Sequence, residues 1–241
     1  MFETLKKKKY QIVALHHAEA ILLGDMSEAV NELEAAISDI VIPVEELVRS
    51  GGGEGAMTQR LRRTLTDFDW RKHNFTIDKT VDGEIKESVS HEIDHVKKFP
   101  GGTFALEIEW NNKDPFFDRD LENFKRLHAE GVISVGAIIT KGESLHDGMR
   151  ELIQSFALKE GIDSLKKVSN YYTPTPRQVA NIKKGAKSKG SFEEGWAHNF
   201  VSDKFGQATT HWRKLEDRVH RGVGSPCPLL LIGIPKEVAT I

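Results

Sequence analysis

Residues Asp94 to Trp110 read D-H-V-K-K-F-P-G-G-T-F-A-L-E-I-E-W, and the interpretation of the whole chain depends on them. The centre of this stretch contains Pro-Gly and Gly-Gly, which are strong turn signals between two strand-like flanks, so the stretch predicts a β-hairpin. Glu107 and Glu109 are separated by one residue in the second strand, so their side chains point to the same face. A turn of even length places Asp94 on that face as well, whereas a turn of odd length places it on the other.

The three acidic side chains of this hairpin indicate a metal site if they share one face. Clustered carboxylates repel one another unless a cation lies among them. Hard oxygen ligands that leave room for water and phosphate oxygens suit Mg²⁺. A surface hairpin with solvated acids explains the same spacing, and the spacing alone leaves both interpretations open. A metal site formed by His91, Asp94 and His95 is a further alternative, which lacks a second segment of ligands.

The length and composition of the chain are those of a globular protein with a hydrophobic core. Its 241 residues, 39% of them hydrophobic, are enough for one domain spanning residues 1–241. No apolar run is long enough to cross a bilayer, and the lysine-rich start is not followed by the apolar core of a signal peptide. Cys227 is the single cysteine, so no internal disulfide can form, which suits a reducing compartment. We therefore expect a cytoplasmic protein without a membrane partner.

Charge is distributed unevenly along the chain, although the net charge is only −2. Residues 78–122 contain 6 Lys or Arg and 12 Asp or Glu, whereas residues 166–221 contain 12 Lys or Arg and 5 Asp or Glu. An acidic centre followed by a basic segment fits an enzyme that binds metal in one place and phosphate in another. Within the basic segment, a glycine-containing stretch is predicted to be flexible; it carries Lys183, Lys184, Lys187 and Lys189. A solvated basic face without a DNA partner is the alternative.

Hydrophobic periodicity predicts an α/β protein. Apolar runs predict strands at 10–15, 132–140 and 227–234, and the run at 132–140 is typical of a strand buried on both faces. Helical spacing predicts helices at 18–23, 27–42, 57–68, 115–130, 144–159, 176–184 and 207–219. Segment 82–90 is ambiguous between strand and helix. The glycine-rich segment 50–55 predicts a loop and lacks the Gly-Lys-Ser/Thr of a phosphate-binding loop. Buried strands that alternate with helices, together with the hairpin, indicate a central mixed β-sheet flanked by helices.

Three segments add to the Asp-hairpin-Glu-X-Glu spacing. They are A-I-I-T-K-G at Ala137 to Gly142, R-G-V-G-S-P-C-P-L-L-L-I-G-I at Arg221 to Ile234, and the aromatic and basic W-R-K-H at Trp70 to His73. Together these features resemble the PD-(D/E)XK nuclease core and, more closely, the BglII, BstYI and BamHI group of type II restriction endonucleases. The first segment is similar to the end of the corresponding strand in BglII, and the second to the end of BstYI. The resemblance extends over most of the chain.

This resemblance implies a restriction-endonuclease-like fold and a Mg²⁺ site. By position, Asp94 and Glu107 are the metal ligands, with the carbonyl oxygen of Ile108 as a further one. The third catalytic position, often Lys in the superfamily, is Glu109 here; BamHI also has Glu, whereas BglII and BstYI have Gln. The group carries a polar residue three positions after a Trp that helps to hold metal or water. That position is His73, where BamHI has Glu and BglII has Asn.

The chemistry expected of these residues is phosphodiester hydrolysis. Mg²⁺ held by Asp94 and Glu107 lowers the pKa of water and neutralises developing negative charge. Glu109 orients or deprotonates that water, or binds a second ion. Lys cannot bind an ion, so Glu at this position favours a site with more than one metal.

The implied function is that of a type II restriction endonuclease, a hydrolase that cuts double-stranded DNA at a short palindromic site. A homodimer is expected because one site cuts one strand, and a palindrome presents two equivalent half-sites. The basic region 166–222 is expected to contact DNA, and the resemblance implies a cognate DNA methyltransferase in the same restriction-modification system. A repair or Holliday-junction nuclease with the same core is an alternative. So is a non-catalytic DNA-binding protein, against which the three intact acids argue.

Overall fold

A six-stranded mixed β-sheet lies at the centre of the computed structural model, which describes residues 1–49 and 54–241. The strands are β1 (Gln11–Leu15), β2 (Ile42–Pro43), β3 (Arg71–Val81), β4 (Glu84–Phe99), β5 (Gly102–Glu109), β6 (Val135–Lys141), β7 (Leu229–Ile234) and β8 (Ala239–Thr240). The helices are α1 (Glu3–Lys7), α2 (Ala18–Gly24), α3 (Ser27–Ser38), α4 (Val44–Val48), α5 (Ala56–Asp67), α6 (Phe116–Ala129), α7 (Glu143–Lys159), α8 (Leu165–Val168), α9 (Pro176–Lys189), α10 (Phe192–Lys204) and α11 (Trp212–His220), with a 3₁₀ turn at Lys236–Val238.

The central sheet combines parallel and antiparallel pairs. Its strand order is β1-β7-β6-β5-β4-β3. β5, β6 and β7 run parallel to one another, whereas β1 is antiparallel to β7, β4 to β5, and β3 to β4. A separate short pair joins β2 and β8. The α/β fold with a mixed sheet flanked by helices is therefore confirmed, and it is consistent with a restriction-endonuclease-like fold.

The middle of the sheet is buried on both faces. Every residue of β6 and β7 is buried, including the polar Thr140 and Lys141 at the end of β6, and a hydrophobic cluster covers each face. Helix α6 covers one face with its apolar stripe, which includes Phe117, Leu121 and Phe124. A Cβ atom at Gly136 would lie 2.6 Å from the Phe124 ring, so only glycine lets α6 pack this closely on β6. This close packing fixes the position of α6 beside the end of β5.

β3 and β4 form a two-stranded ribbon that extends beyond the packed sheet. The ribbon turns at Asp82 and Gly83, both of which have positive φ. Segment 82–90, which the sequence left ambiguous, is this turn followed by the first half of β4. Most ribbon side chains between residues 71 and 90 are exposed, so no apolar stripe or alternation identified the two strands in advance.

Several predicted boundaries differ from the structure. The helix predicted at 27–42 ends at Ser38, because Ile42 and Pro43 pair with β8 instead. The strands predicted from residues 132 and 227 begin at Val135 and Leu229, and the helix predicted from residue 207 begins at Trp212. Residues 50–53 of the predicted loop at 50–55 lie outside the described residues.

The basic stretch predicted to be flexible is helical in the structure. Lys183, Lys184, Lys187 and Lys189 belong to the last two turns of α9, which ends at Gly190 with φ of 90°. Helix α9 continues through Gly185 because α10 packs closely against it at this position. A Cβ atom on Gly185 would lie 2.9 Å from the carbonyl oxygen of Gly195. Helix α10 itself was missed. No helix in the described ranges is both long enough and apolar enough to cross a membrane.

Candidate active site

The β4–β5 hairpin has the even turn that the carboxylate hypothesis requires. Phe99 pairs with Gly102, so the turn contains two residues, and the register continues to His95 opposite Leu106. One step further, the backbone N–H of Asp94 donates to Glu107 Oε1 at 3.4 Å. The first predicted ligand therefore lies directly beside the second.

Asp94 also lies in an irregular part of β4. Arg71 pairs with Val96 but His73 pairs with Ile93, so Asp94 and His95 together face the single residue Lys72. This two-to-one arrangement is a β-bulge, a feature that often re-aims side chains next to active sites. The Asp94 side chain is 55% exposed, and its Oδ1 lies 3.8 Å from Lys72 Nζ. Its carboxylate is thus open to solvent and has a cation nearby.

Glu107 is a buried acid in an excess of negative charge. The residue is only 3% exposed on β5. Burial and the nearby carboxylates of Asp120, Asp94 and Glu109 raise the pKa of Glu107 well above its usual range. No described Lys or Arg lies within 4.0 Å of the Glu107 carboxylate; the nearby cations Lys72 and Arg119 contact Asp94 and Glu109 instead. A bound cation would relieve this excess of charge.

Glu109 is also buried and contacts polar groups of the following segment. Asn112 Nδ2 donates to Glu109 Oε2 at 2.7 Å, and Arg119 Nη2 lies 3.7 Å from Oε1. Burial and the adjoining carboxylate of Asp120 raise the pKa of Glu109 to about 8. Glu107 and Glu109 thus lie on one face of β5 as predicted from their spacing.

Asp120 is a member of this site that the sequence analysis missed. It lies on α6 and is 0% exposed, and Arg119 connects it to Glu109: Nη2 of Arg119 lies 2.8 Å from Asp120 Oδ1 and 3.7 Å from Glu109 Oε1. Burial raises the pKa of Asp120, while the adjacent Arg119 opposes this increase. A signal was present in the sequence: Asp120 occupies a position of the apolar stripe that runs from Phe117 to Phe124 and beyond, where an acid is unexpected.

Ile108 separates the acids from a cleft on the other face of β5. Its side chain is nearly buried and lines this cleft, which has a volume of about 850 Å³ and also borders Asp94, Trp110 and Arg62. Arg49 and Lys204 add positive charge to the lining. Glu46 and Glu54 also line the cleft, so its charge is mixed.

Lys141 is a buried lysine at the end of β6. Its Nζ donates to the carbonyl oxygen of Trp110 at 2.5 Å and to Asn111 Oδ1 at 3.0 Å. Burial lowers the pKa of Lys141 to about 7, although the charge of Glu109 opposes this decrease. Lys141 therefore holds the segment that follows Glu109, and the neighbouring Thr140 hydroxyl reinforces it by donating to the Glu109 carbonyl oxygen at 2.7 Å.

His73, the fourth predicted catalytic residue, is exposed on β3. Its ring lies against Phe75, with 4.3 Å between ring centroids. The side chain of β3 that approaches the Asp94 carboxylate is that of Lys72, which also lies 2.7 Å from Glu92. Lys72, and not His73, is therefore the side chain of β3 that lies beside Asp94. The role of His73 stays a prediction.

The alternative site of His91, Asp94 and His95 does not form a metal-binding group. Both histidines are buried, His91 Nδ1 contacts Asn123 Oδ1 at 2.8 Å, and the Asp94 side chain is solvated. Across residues 1–49 and 54–241, no group of three or more His, Cys, Asp or Glu side chains has the arrangement of a metal site. The same statement applies to Asp94, Glu107 and Glu109.

The four lysines predicted to bind DNA lie away from the hairpin in sequence but share a helix. Lys183, Lys184 and Lys187 are exposed on the side of α9 opposite Ile182 and the glycine contact with α10. Lys189 is exposed at the last position of the helix. None of the four has an acidic partner within 4.0 Å among the described residues. They are available to an anionic partner, although their contact with DNA stays a prediction.

Comparison with known proteins identifies the family. A search of the curated proteins found no match. A family model described as restriction endonuclease BglII/BglIII matches residues 10–234, which include the hairpin, α6 and the strands β6 and β7. This match covers nearly the whole chain and every element that carries the carboxylates described above. The chain belongs to the BglII/BglIII restriction endonuclease family.

Proposed function

We propose that this restriction endonuclease hydrolyses double-stranded DNA at a short palindromic site and uses Mg²⁺ as its cofactor. The observation that carries the proposal is the hydrogen bond from the backbone N–H of Asp94 to the buried Glu107 carboxylate, which places the two hairpin acids side by side. Burial of Glu107 among three other carboxylates is unfavourable for a protein without a cation. Carboxylates with such strongly perturbed pKa values are found mainly at sites where their charge takes part in catalysis.

The donor set fits Mg²⁺. Asp94 and Glu107 offer carboxylate oxygens, and Ile108 offers a backbone carbonyl oxygen between them and Glu109. Mg²⁺ is usually bound through one or two carboxylates, with waters and substrate phosphate oxygens completing its coordination. When bound, the ion supplies Lewis-acid stabilisation of the charge that develops on the scissile phosphate.

The other residues of the site act on substrate, water and the loop that follows Glu109. Glu109 orients or deprotonates the attacking water, or binds a second ion, and Asn112 holds its carboxylate by a hydrogen bond. Lys72 provides positive charge beside Asp94, where a phosphate of the backbone would enter. His73, by its position after Trp70, is proposed to act on metal or water from the same strand.

The remaining surfaces suit a long anionic substrate. We assign residues 1–241 to a single endonuclease domain and the basic region 166–222 to DNA backbone contacts, since the lysines of α9 are exposed without acidic partners. A homodimer gives two active sites for the two strands of a palindrome. A cognate methyltransferase in the same system would protect the host DNA from this enzyme.

The test is digestion of a plasmid of known sequence with and without Mg²⁺, followed by mapping of the ends. Asp94→Asn and Glu107→Gln should abolish cleavage while leaving DNA binding largely intact, because each removes a ligand without changing side-chain size. Asp78→Asn is the matched control, since Asp78 is an exposed acid of the ribbon that contacts Ser88. Full activity in either of the first two variants would remove the proposed site.

The same experiment separates the remaining candidates. Cleavage of short duplexes at one defined sequence supports the type II activity. Cleavage that requires branched DNA would instead identify a repair or junction nuclease of the same fold. Tight DNA binding without cleavage under any metal would identify a non-catalytic DNA-binding protein.

A further inference from the structure

Two buried histidines, His146 and His211, stack on each other near the end of β6. His146 lies close to the start of α7 and is 7% exposed, whereas His211 directly precedes α11 and is 1% exposed. Their ring centroids are 3.9 Å apart, and the two ring planes differ by only 12°. Neither ring nitrogen of His211 has a hydrogen-bond partner among the described residues, so its ring is held by packing, of which the stack on His146 is a part.

The His146 ring contacts both ends of the segment 207–211. At one end, Gln207 Nε2 lies 3.1 Å from His146 Nε2. Since an amide nitrogen only donates, His146 accepts this hydrogen bond through Nε2. At the other end, the face of the ring packs on His211. One side chain of α7 therefore holds the whole segment between α10 and α11.

The segment 207–211 in turn pairs with the residues that follow β5. The backbone N–H of Thr210 donates to the carbonyl oxygen of Asn112 at 2.8 Å, and the backbone N–H of Asp114 donates to the carbonyl oxygen of Ala208 at 3.0 Å. An isolated antiparallel bridge lies between these two hydrogen bonds. The position of residues 112–114 is thus coupled to the position of the segment that His146 holds.

We propose that His146 and His211 are positioning residues that hold Asn112 against Glu109. Asn112 Nδ2 donates to Glu109 Oε2 at 2.7 Å, so any movement of residues 112–114 moves the amide that orients this carboxylate. The inference rests on the proposed function, in which Glu109 acts on water or metal. It extends that function to two buried histidines that lie on α7 and before α11.

The charges around the pair favour neutral rings, which can stack without repulsion. Burial lowers the pKa of both histidines, to about 4 for His211. The charged groups near the pair come from β6, α7 and α11; they are Lys141, Asp147, Arg150, Arg213 and Lys214. Asp147 is paired with Arg213, whose Nη1 donates to it at 2.8 Å, so the surroundings carry an excess of positive charge. Both rings are therefore neutral near pH 7.

The test is a double-mutant cycle between His146 and Asn112, measured as cleavage by the full-length enzyme with Mg²⁺. His146→Leu should lower kcat about tenfold and leave KM for DNA within about twofold, because a small displacement beside the reacting groups costs rate. Asn112→Ala should lower kcat at least as much. If the histidine acts through Asn112, the double variant is no slower than Asn112→Ala alone, whereas effects that multiply would overturn the proposal.

Two further variants support the cycle. Gln207→Ala removes one contact of His146 through an exposed side chain, so it should lower kcat without preventing folding. It replaces His146→Leu in the cycle if that variant does not fold. His128→Leu is the matched control, because His128 is a half-buried histidine of α6 that contacts the carbonyl oxygen of Ile133 at 3.1 Å. Its kcat should equal that of wild type.

Hydrogen exchange of the metal-free protein gives a readout that needs no cleavage. In His146→Leu, peptides that contain residues 112–114 and 208–210 should exchange faster, while β6 and β7 exchange as in wild type. Equally faster exchange throughout the chain would indicate only lower stability and would overturn the proposal, as would unchanged exchange. If wild type cleaves no DNA, the proposed function fails, and the exchange pattern alone then decides whether the pair positions Asn112.

Discussion

At the scale of single residues, Glu109 distinguishes this site from the commoner superfamily pattern with Lys. Glu109→Lys restores the commoner residue but introduces a cation where Asp120, Asn112 and Arg119 already surround the position. We expect cleavage to fall by about 100-fold or more, the scale for loss of one group that stabilises developing charge. The loss is expected because Lys cannot bind a cation and repels Arg119. Steady-state cleavage of a plasmid checks this.

Glu109→Gln is the control for that substitution. Gln keeps the size of the side chain and an oxygen atom, and it is the residue found at this position in the BglII and BstYI enzymes that the chain resembles. The Gln variant should therefore retain measurable cleavage when the Lys variant has lost it. Wild-type turnover by Glu109→Lys would show that the carboxylate is not needed.

Residue spacing predicted the acids of the hairpin but not their partner on α6. Glu107 and Glu109 could be assigned to one face because alternation along a strand is a local property. Asp120 is eleven positions further on and reaches Glu109 only through the packing of α6 on the sheet, which no local rule describes. The bulge that sets Lys72 opposite Asp94 was equally hidden, since a bulge depends on both strands.

At the scale of elements, Lys141 connects the end of β6 to the segment after β5. The charged groups that influence it are Glu109, whose charge favours its protonation, and the histidines His146 and His211, whose pKa values its charge lowers. In the folded protein the pKa of Lys141 is about 7, below its unfolded value of 10.5. Between these values the unfolded chain binds more protons, so the free energy of unfolding should rise with pH from 7 towards 10.5 and be insensitive to this group below pH 7.

Lys141→Met isolates this contribution. We expect the difference in unfolding free energy between wild type and variant to change by up to about 1.4 kcal/mol per pH unit above pH 7, in favour of wild type as pH rises. Urea unfolding of the metal-free protein at pH 7 and pH 9.5 measures it. Lys98→Met is the control, because Lys98 is exposed on β4. An equal pH dependence in wild type and both variants would contradict the assignment to Lys141.

Elements with a buried apolar pattern were predictable, whereas elements defined by long-range contacts were not. β6, β7 and α6 have continuous or periodic hydrophobic sequences, and their types were assigned correctly. The end of α9 was predicted to be flexible because its sequence is basic and contains glycine. Gly185 is instead required by the close contact with Gly195 of α10, so this glycine indicates helix packing rather than flexibility.

At the scale of the whole molecule, the acids lie on β4, β5 and α6 whereas the four lysines lie on α9, in keeping with the uneven charge along the chain. A helix presents Lys183, Lys184 and Lys187 in fixed relative positions, so they can follow a phosphate backbone without being ordered on binding. Family membership establishes a restriction endonuclease, and the sequence it recognises depends on base contacts that phosphate-binding lysines do not make.

Replacing Lys183, Lys184, Lys187 and Lys189 by Gln should therefore weaken binding to every DNA sequence alike. Gln keeps the helix propensity of Lys, so α9 should stay folded. Each lost contact should flatten the slope of log affinity against log salt concentration by roughly 1 per monomer, since fewer counterions are released. Sequence preference should be retained, because phosphate contacts position the protein and base contacts specify the site.

The control replaces the four lysines at 6–9 by Gln. It removes the same charge from α1 and the turn after it and should leave the slope unchanged. If the α9 variant also keeps the wild-type slope, the lysines form only a solvated surface, and the cleft beside Asp94, which Arg49, Arg62 and Lys204 help to line, becomes the place to look for DNA.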